Sequence, residues 1–153
     1  MGHYYFDSSA LVKRYVTETG TIWVNNLCTP ASGHTVYIVR ITGVEIIAAL
    51  SRRVRTGTLA MPDAQVAATQ FKSDFSTLYQ IVEVTEQLVA SAMTLAENHG
   101  LRGYDAVQLA AALELQAIRT SLSLSGITIV CADDQLNATA LAEGLFVENP
   151  NDH

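Results

Sequence analysis

The chain has 153 residues, 49% of them apolar and 16% charged, with a formal net charge of −6 from nine Lys and Arg against fifteen Asp and Glu. That much apolar surface and that little charge exclude a disordered chain, and the length fits one domain over 1–153. The negative balance argues against a protein that grips nucleic acid by bulk charge alone. It leaves room for a nuclease, because a bound divalent cation reverses the local sign where a phosphate sits. No basic stretch followed by an apolar run opens the chain, and no segment approaches the ~18 consecutive apolar residues of a membrane span, so a soluble protein without signal peptide or membrane contact is expected. Cys28 and Cys131 form no CxxC pair and read as two reduced core thiols of a cytoplasmic protein.

In chain order, His3–Phe6 is a short β-prone run ending at Asp7. Ser8–Val16 reads as a helix, and a second follows Gly20 around Ile22–Leu27. Thr35–Val39 is the next strand, and a strongly apolar helix runs from Gly43 to about Arg55, stopped by Gly57. Pro62 suits the first turn of a long helix whose stripe Ala64, Ala68, Phe71, Phe75, Leu78 has helical spacing. Ile81–Val84 is a third strand. Leu88, Ala92, Leu95 and His99 form one face of a helix stopped by Gly100. The helix starting near Tyr104 is apolar on most sides, as a buried helix is. Ile127–Cys131 is a fourth strand, Asp134–Glu143 a short helix and Phe146–Val147 a last short strand. Strands alternating with helices predict an α/β fold on a mainly parallel sheet, with ligands outside the carboxyl ends of the strands.

Four acids share one structural situation. Asp7 follows the first strand directly, and Asp133 and Asp134 follow the fourth after Ala132. Glu45 lies one turn into the helix after the second strand, and Asp105 opens the most apolar helix. Each has a plain explanation as a helix cap or first-turn acid, and Thr42-Gly43-Val44-Glu45 fits a capping box. Together, several carboxylates on one sheet edge repel unless a cation sits among them, and oxygen-only donors select hard ions such as Mg²⁺ or Mn²⁺. The histidines, His3, His34, His99 and His153, are too scattered to suggest zinc. Most basic residues lie near these acids in sequence: Lys13 and Arg14 after Asp7, Arg40 before Glu45, Arg52, Arg53 and Arg55 after it, and Arg102 before Asp105. They are either solvated helix faces or a basic rim for a polyanion's phosphates.

At this point a family resemblance enters. Tyr5-Phe6-Asp7-Ser8-Ser9-Ala10-Leu11-Val12-Lys13 resembles the opening of PIN domains, and Glu45 within Thr42-Gly43-Val44-Glu45-Ile46 resembles their second motif. Tyr104-Asp105-Ala106-Val107-Gln108-Leu109-Ala110 is similar to the third, and Ala132-Asp133-Asp134-Gln135-Leu136 through Asn149-Pro150 to the last. The ordered set spans the chain. The resemblance implies a three-layer α/β/α sandwich and Mg²⁺- or Mn²⁺-dependent cleavage of RNA. It further implies a likeness to stand-alone VapC-type toxins, which dimerise and are silenced by a small VapB-like antitoxin. On this reading Asp7, Glu45, Asp105 and Asp133 are catalytic and metal-holding, with Asp134 the alternative to Asp133. Ser9 orients a water or the phosphate, or is a first-turn hydroxyl. Lys13, Arg14, Arg40 and Arg102 are the expected RNA contacts. The competing reading is a PIN-like module that binds metal without turnover. A phosphoacceptor domain needs an acidic pair after the first strand, and that order is missing.

Overall fold

The computed structural model describes residues 1–153. Five parallel strands form one sheet in the order β3-β2-β1-β4-β5: β1 His3–Phe6, β2 Thr35–Val39, β3 Gln80–Val82, β4 Thr128–Val130 and β5 Phe146–Glu148. The short central strand β1 pairs Tyr5 with Tyr37 on one side and with Ile129 on the other. Alternate residues of a strand face opposite ways, and the sheet divides two cores on that rule. Tyr5, Val39 and Ile129 pack with α5 (Glu86–His99), α6 (Gly103–Ser121) and α7 (Asp134–Ala142). Their neighbours Phe6, Ile38 and Val130 pack with α1 (Ser8–Leu11), α2 (Thr21–Cys28), α3 (Thr42–Arg55) and α4 (Met61–Thr77). The result is the expected α/β/α sandwich, with a sheet that is wholly parallel. Cys28 and Cys131 are both free and buried, one in each core. No helix is long and apolar enough to cross a membrane.

Two expected boundaries shift. The helix read over Ser8–Val16 ends after one turn, at Leu11, and tightens into a 3₁₀ turn over Val12–Arg14. The Thr21 hydroxyl donates to the Lys13 carbonyl at 2.8 Å, taking up an acceptor that a continuing helix would have used. The third strand is shorter and begins earlier than Ile81–Val84. It is an edge strand paired only with β2, and Glu83 turns instead to Arg40. At the start of α2, Gly20 has φ +87°, and a Cβ there would lie 2.2 Å from the Pro150 carbonyl oxygen. Only glycine admits both the conformation and that close approach.

Candidate active site

The strand order runs outward from β1 through β2 to β3 on one side and through β4 to β5 on the other. Connections therefore part at the carboxyl ends of β1 and β4, where open α/β sheets form their crevice. Asp7 stands there, its backbone N–H donating to the Val130 carbonyl at 3.1 Å. Its buried carboxylate caps α1, accepting from the Ala10 amide at 3.1 Å, and accepts the Ser9 hydroxyl at 2.8 and 2.9 Å. Ser9 Oγ also accepts from the Ala132 amide at 3.0 Å, tying the loop after β4 to the loop after β1. Burial lifts the Asp7 carboxyl to about 6, against the opposing pull of the Ser9 and Ala10 hydrogen bonds.

Glu45 is not the partner of a capping box. Ile41 holds the N-cap position with no side-chain bond, and Thr42 lies buried inside the first turn. The Glu45 carboxylate is clamped from the side instead. Gln108 Nε2 donates to its Oε1 at 2.7 Å and Ser8 Oγ to its Oε2 at 3.0 Å. The second Gln108 N–H is given to Thr42 Oγ1 at 3.0 Å, and Gln108 Oε1 accepts the buried Tyr5 hydroxyl at 2.7 Å. Every polar atom of this buried amide is engaged, so Glu45 is held by a satisfied network. Burial raises its proton affinity; Gln108 and Ser8 oppose this, and the charge of Asp105 adds to it.

Asp105 sits in the first turn of α6 but does not cap it, since Arg102 occupies the N-cap position. Burial raises the Asp105 carboxyl, Arg102 lowers it, and the neighbouring Asp133 raises it again. Asp133 does cap α7, accepting from the Leu136 amide at 2.8 Å. Arg102, 82% exposed, lies across both acids, with Nε 3.4 Å from Asp105 Oδ2 and Nη2 4.0 Å from Asp133 Oδ2. The exposed Asp134 accepts from Asn149 Nδ2 at 3.2 Å. Two of the four candidate acids, Asp7 and Asp133, are thus helix caps, and two are not caps at all. The structure links them in a chain, Glu45 to Asp105 to Asp133 by charge and Asp7 to the β4 loop by Ser9. No three acidic, histidine or cysteine side chains converge into a ready-made metal shell. The donor set is nonetheless suited to a hard divalent cation: it is all carboxylate oxygen, partly desolvated, with Asp105 raising the proton affinity of Glu45 and Asp133 that of Asp105.

The expected RNA contacts divide differently. Lys13 is buried, with Nζ 3.3 Å from Glu18 Oε1 and 2.9 Å from the Thr19 carbonyl. Arg14 Nε lies 3.3 Å from Asp74 Oδ2, in a buried cluster with Tyr15. Neither stands on the rim of the acidic crevice: Lys13 is committed to the half-buried Glu18 and Arg14 to the buried Asp74. Arg40 is exposed but is paired with Glu83 and lies 5.5 Å from the Phe75 ring centroid. Arg102 alone of the four stands over the acids. Beside Glu45 the structure opens a groove of about 490 Å³, whose walls include Ser8, Ser9, Arg52, Arg55 and Tyr104. Gln108, bonded to Glu45, and Tyr104, on the groove wall, belong to the candidate site, and spacing alone passed over both. Gln108 lies three residues after Asp105, on the same helix face, and an amide in the apolar run Ala106–Leu113 is the signal that could have found it.

Fold and crevice together define an α/β protein with an acidic site at the switch point of a parallel sheet. A family model for the PIN domain matches residues 4–140, and the chain belongs to that family. It is 33% identical over 146 residues to two curated relatives from Mycobacterium tuberculosis, Ribonuclease VapC45 of strain CDC 1551 / Oshkosh and Ribonuclease VapC49 of strain ATCC 25618 / H37Rv. Each alignment covers 94% of this chain and 92% of the relative. Among solved structures it resembles VapBC2 from Rickettsia felis bound to a DNA fragment from their promoter, with TM-score 0.63 and 17% identity over 96% of this chain and 98% of that one. At that identity the likeness speaks for the fold.

Proposed function

We propose that the protein is a metal-dependent ribonuclease that hydrolyses RNA phosphodiester bonds in the cytoplasm, the toxin of a toxin–antitoxin pair. The observation that carries this is the set of buried or half-buried carboxylates Asp7, Glu45 and Asp105, whose ionised forms burial disfavours, with Asp105 adding to the effect at Glu45 and Asp133 to that at Asp105. Family membership and full-length relatives named ribonucleases support it. Asp7 and Asp105 would hold the ion directly, with Glu45 and Asp133, rather than Asp134, holding it or its hydration shell. A bound Mg²⁺ or Mn²⁺ supplies neutralisation of phosphate charge and acidification of a water. Glu45, fixed by Gln108 and Ser8 and with raised proton affinity, takes the proton of the attacking water at Oε2. Ser9 keeps Asp7 in register with the β4 loop, and Arg102 offers its guanidinium to the phosphate.

A carboxylate crevice is also a target for an inhibitor's arginine, so the partner is a small protein that places one there, and the chain works as a homodimer. The test is cleavage of single-stranded RNA by the purified chain with Mg²⁺, Mn²⁺ or EDTA. Cleavage is expected with either ion, none in EDTA and none with Asp105→Asn. Undiminished cleavage in EDTA refutes the metal requirement. Metal binding without cleavage of any RNA supports the non-cleaving module instead.

A further inference from the structure

The groove beside Glu45 has a composition that the acidic site does not explain. Arg52 and Arg55 lie on its wall, and neither forms an ion pair anywhere in the protein. Arg55 has only the Ser51 hydroxyl, at 3.1 Å. By contrast Arg53, on the same helix, is spent on Glu18 at 3.3 Å. Both are exposed in the last turn of α3, where the helix dipole favours cations, and in a chain of net charge −6 they leave two guanidinium groups on one groove free to take an anion. Arg52 stands seven residues, and so about 10 Å of helix, beyond Glu45. The floor between them is small and apolar, with Ala48, Ala49 and Val12. At the mouth stands Tyr104, 62% exposed and next in sequence to Asp105. A large ring held in water beside a carboxylate site is the kind of surface on which an unpaired base stacks.

Resting on the ribonuclease reading, we propose that this groove is the substrate cradle. In it Arg52 and Arg55 hold phosphates of a single-stranded RNA to one side of the cleaved bond, and Tyr104 stacks on a base at the crevice mouth. Single-stranded rather than duplex RNA is specified because only an unpaired base presents a free face to the ring. The cradle takes over the role that Lys13 and Arg14, both turned inward, do not fill. Arg102 then serves the opposite side, at the acids themselves.

The test uses the Asp105→Asn chain with Mn²⁺, so that RNA is bound without turnover, and a fluorescent single-stranded RNA read by anisotropy over a range of KCl. Into it are placed Arg52→Gln with Arg55→Gln, Tyr104→Ala, Tyr104→Phe and, as a control outside the groove, Arg40→Gln. Each lost phosphate contact lowers the slope of log K against log salt by about 0.7 for a single strand, so the double variant is expected to lose about 1.4. Tyr104→Ala is expected to weaken binding roughly tenfold and Tyr104→Phe to retain it, since the ring does the stacking. Thermal melts establish that each variant folds, and Arg40→Gln should leave the slope as it is. An unchanged slope in the double variant, with wild type cleaving RNA normally, overturns the cradle and leaves the ribonuclease reading standing. Wild type that neither binds nor cleaves RNA overturns both. Unchanged RNA binding with loss of an inhibitor protein from the double variant makes the groove a protein dock, which also refutes the proposal.

Discussion

Replacing Asp7 by Asn should stabilise the metal-free protein, and the amount follows from the site. The carboxylate is buried and accepts from the Ser9 hydroxyl and the Ala10 amide. Its acid ordinarily titrates at 3.8 and here at about 6, so keeping it ionised in the folded state costs on the order of 3 kcal/mol. Asn caps a helix about as well as Asp, so the Ala10 amide keeps an acceptor. The Ser9 hydroxyl can rotate to accept the new amide. The folded chain holds the Asp7 proton to higher pH than the unfolded chain does, so Asp7 contributes stability fully below pH 3.8. That contribution is lost as pH rises to about 6 and is absent above it. In EDTA the variant should therefore match wild type near pH 4 and exceed it increasingly up to pH 7, then hold a constant lead. At pH 8 the full lead corresponds to roughly 6–12 °C in Tm for a chain of this size. Mn²⁺ at about a hundred times its Kd should return some 2.7 kcal/mol to wild type and less to the variant. Thermal and urea melts across pH 4–8, with EDTA and then with Mn²⁺, measure both effects. A variant no more stable than wild type at pH 8 in EDTA would refute the claim that burial strains this carboxylate.

Gln108→Leu should cost about 2–3 kcal/mol, because the Tyr5 hydroxyl loses its acceptor and Thr42 and Glu45 lose a donor inside the protein; urea melts measure it, and kcat should fall as Glu45 loosens. Arg102→Ala should tighten Mn²⁺ binding roughly two- to fivefold at pH 8, the modest effect of removing an exposed cation from two carboxylates, and calorimetric titration would show it; weaker Mn²⁺ binding would mean that Arg102 holds the acids in place instead of competing for them. Lys13→Ala should lower the melting temperature and leave the RNA Kd where it is, since the ammonium group is committed to Glu18 and the Thr19 carbonyl.

What the sequence made legible divides along a physical line. Period and punctuation gave β1, β2 and the C-terminal end of α5, because Gly100 at φ +66° is a local signal; Thr85, which caps the other end, is as local a signal and was not read. The acids were legible because strand ends and helix starts are local too, and a parallel sheet gathers them on one edge. The pairings among them were not. Glu45 could be read as the second half of a capping box only while its surroundings were unknown. The Gln108 amide that clamps it comes from a helix 63 residues away, and Tyr5 completes that network across 103 residues. Lys13 shows the converse failure. Nearness in sequence to Asp7 promised a basic rim, yet a single bond from Thr21 to the Lys13 carbonyl accompanies a tightened turn, and the buried ammonium group is committed to the half-buried Glu18. Charge in a sequence reports which groups exist, and pairing decides which of them are free. Arg53 and Arg40 have carboxylate partners. Arg52 and Arg55 have none, while the exposed Arg102 lies 3.4 Å from Asp105 and 4.0 Å from Asp133. On the proposed reading, a chain of net charge −6 needs no basic surface to hold RNA: Arg52 and Arg55, beside the carboxylate crevice, would place the attraction near the bond to be cut.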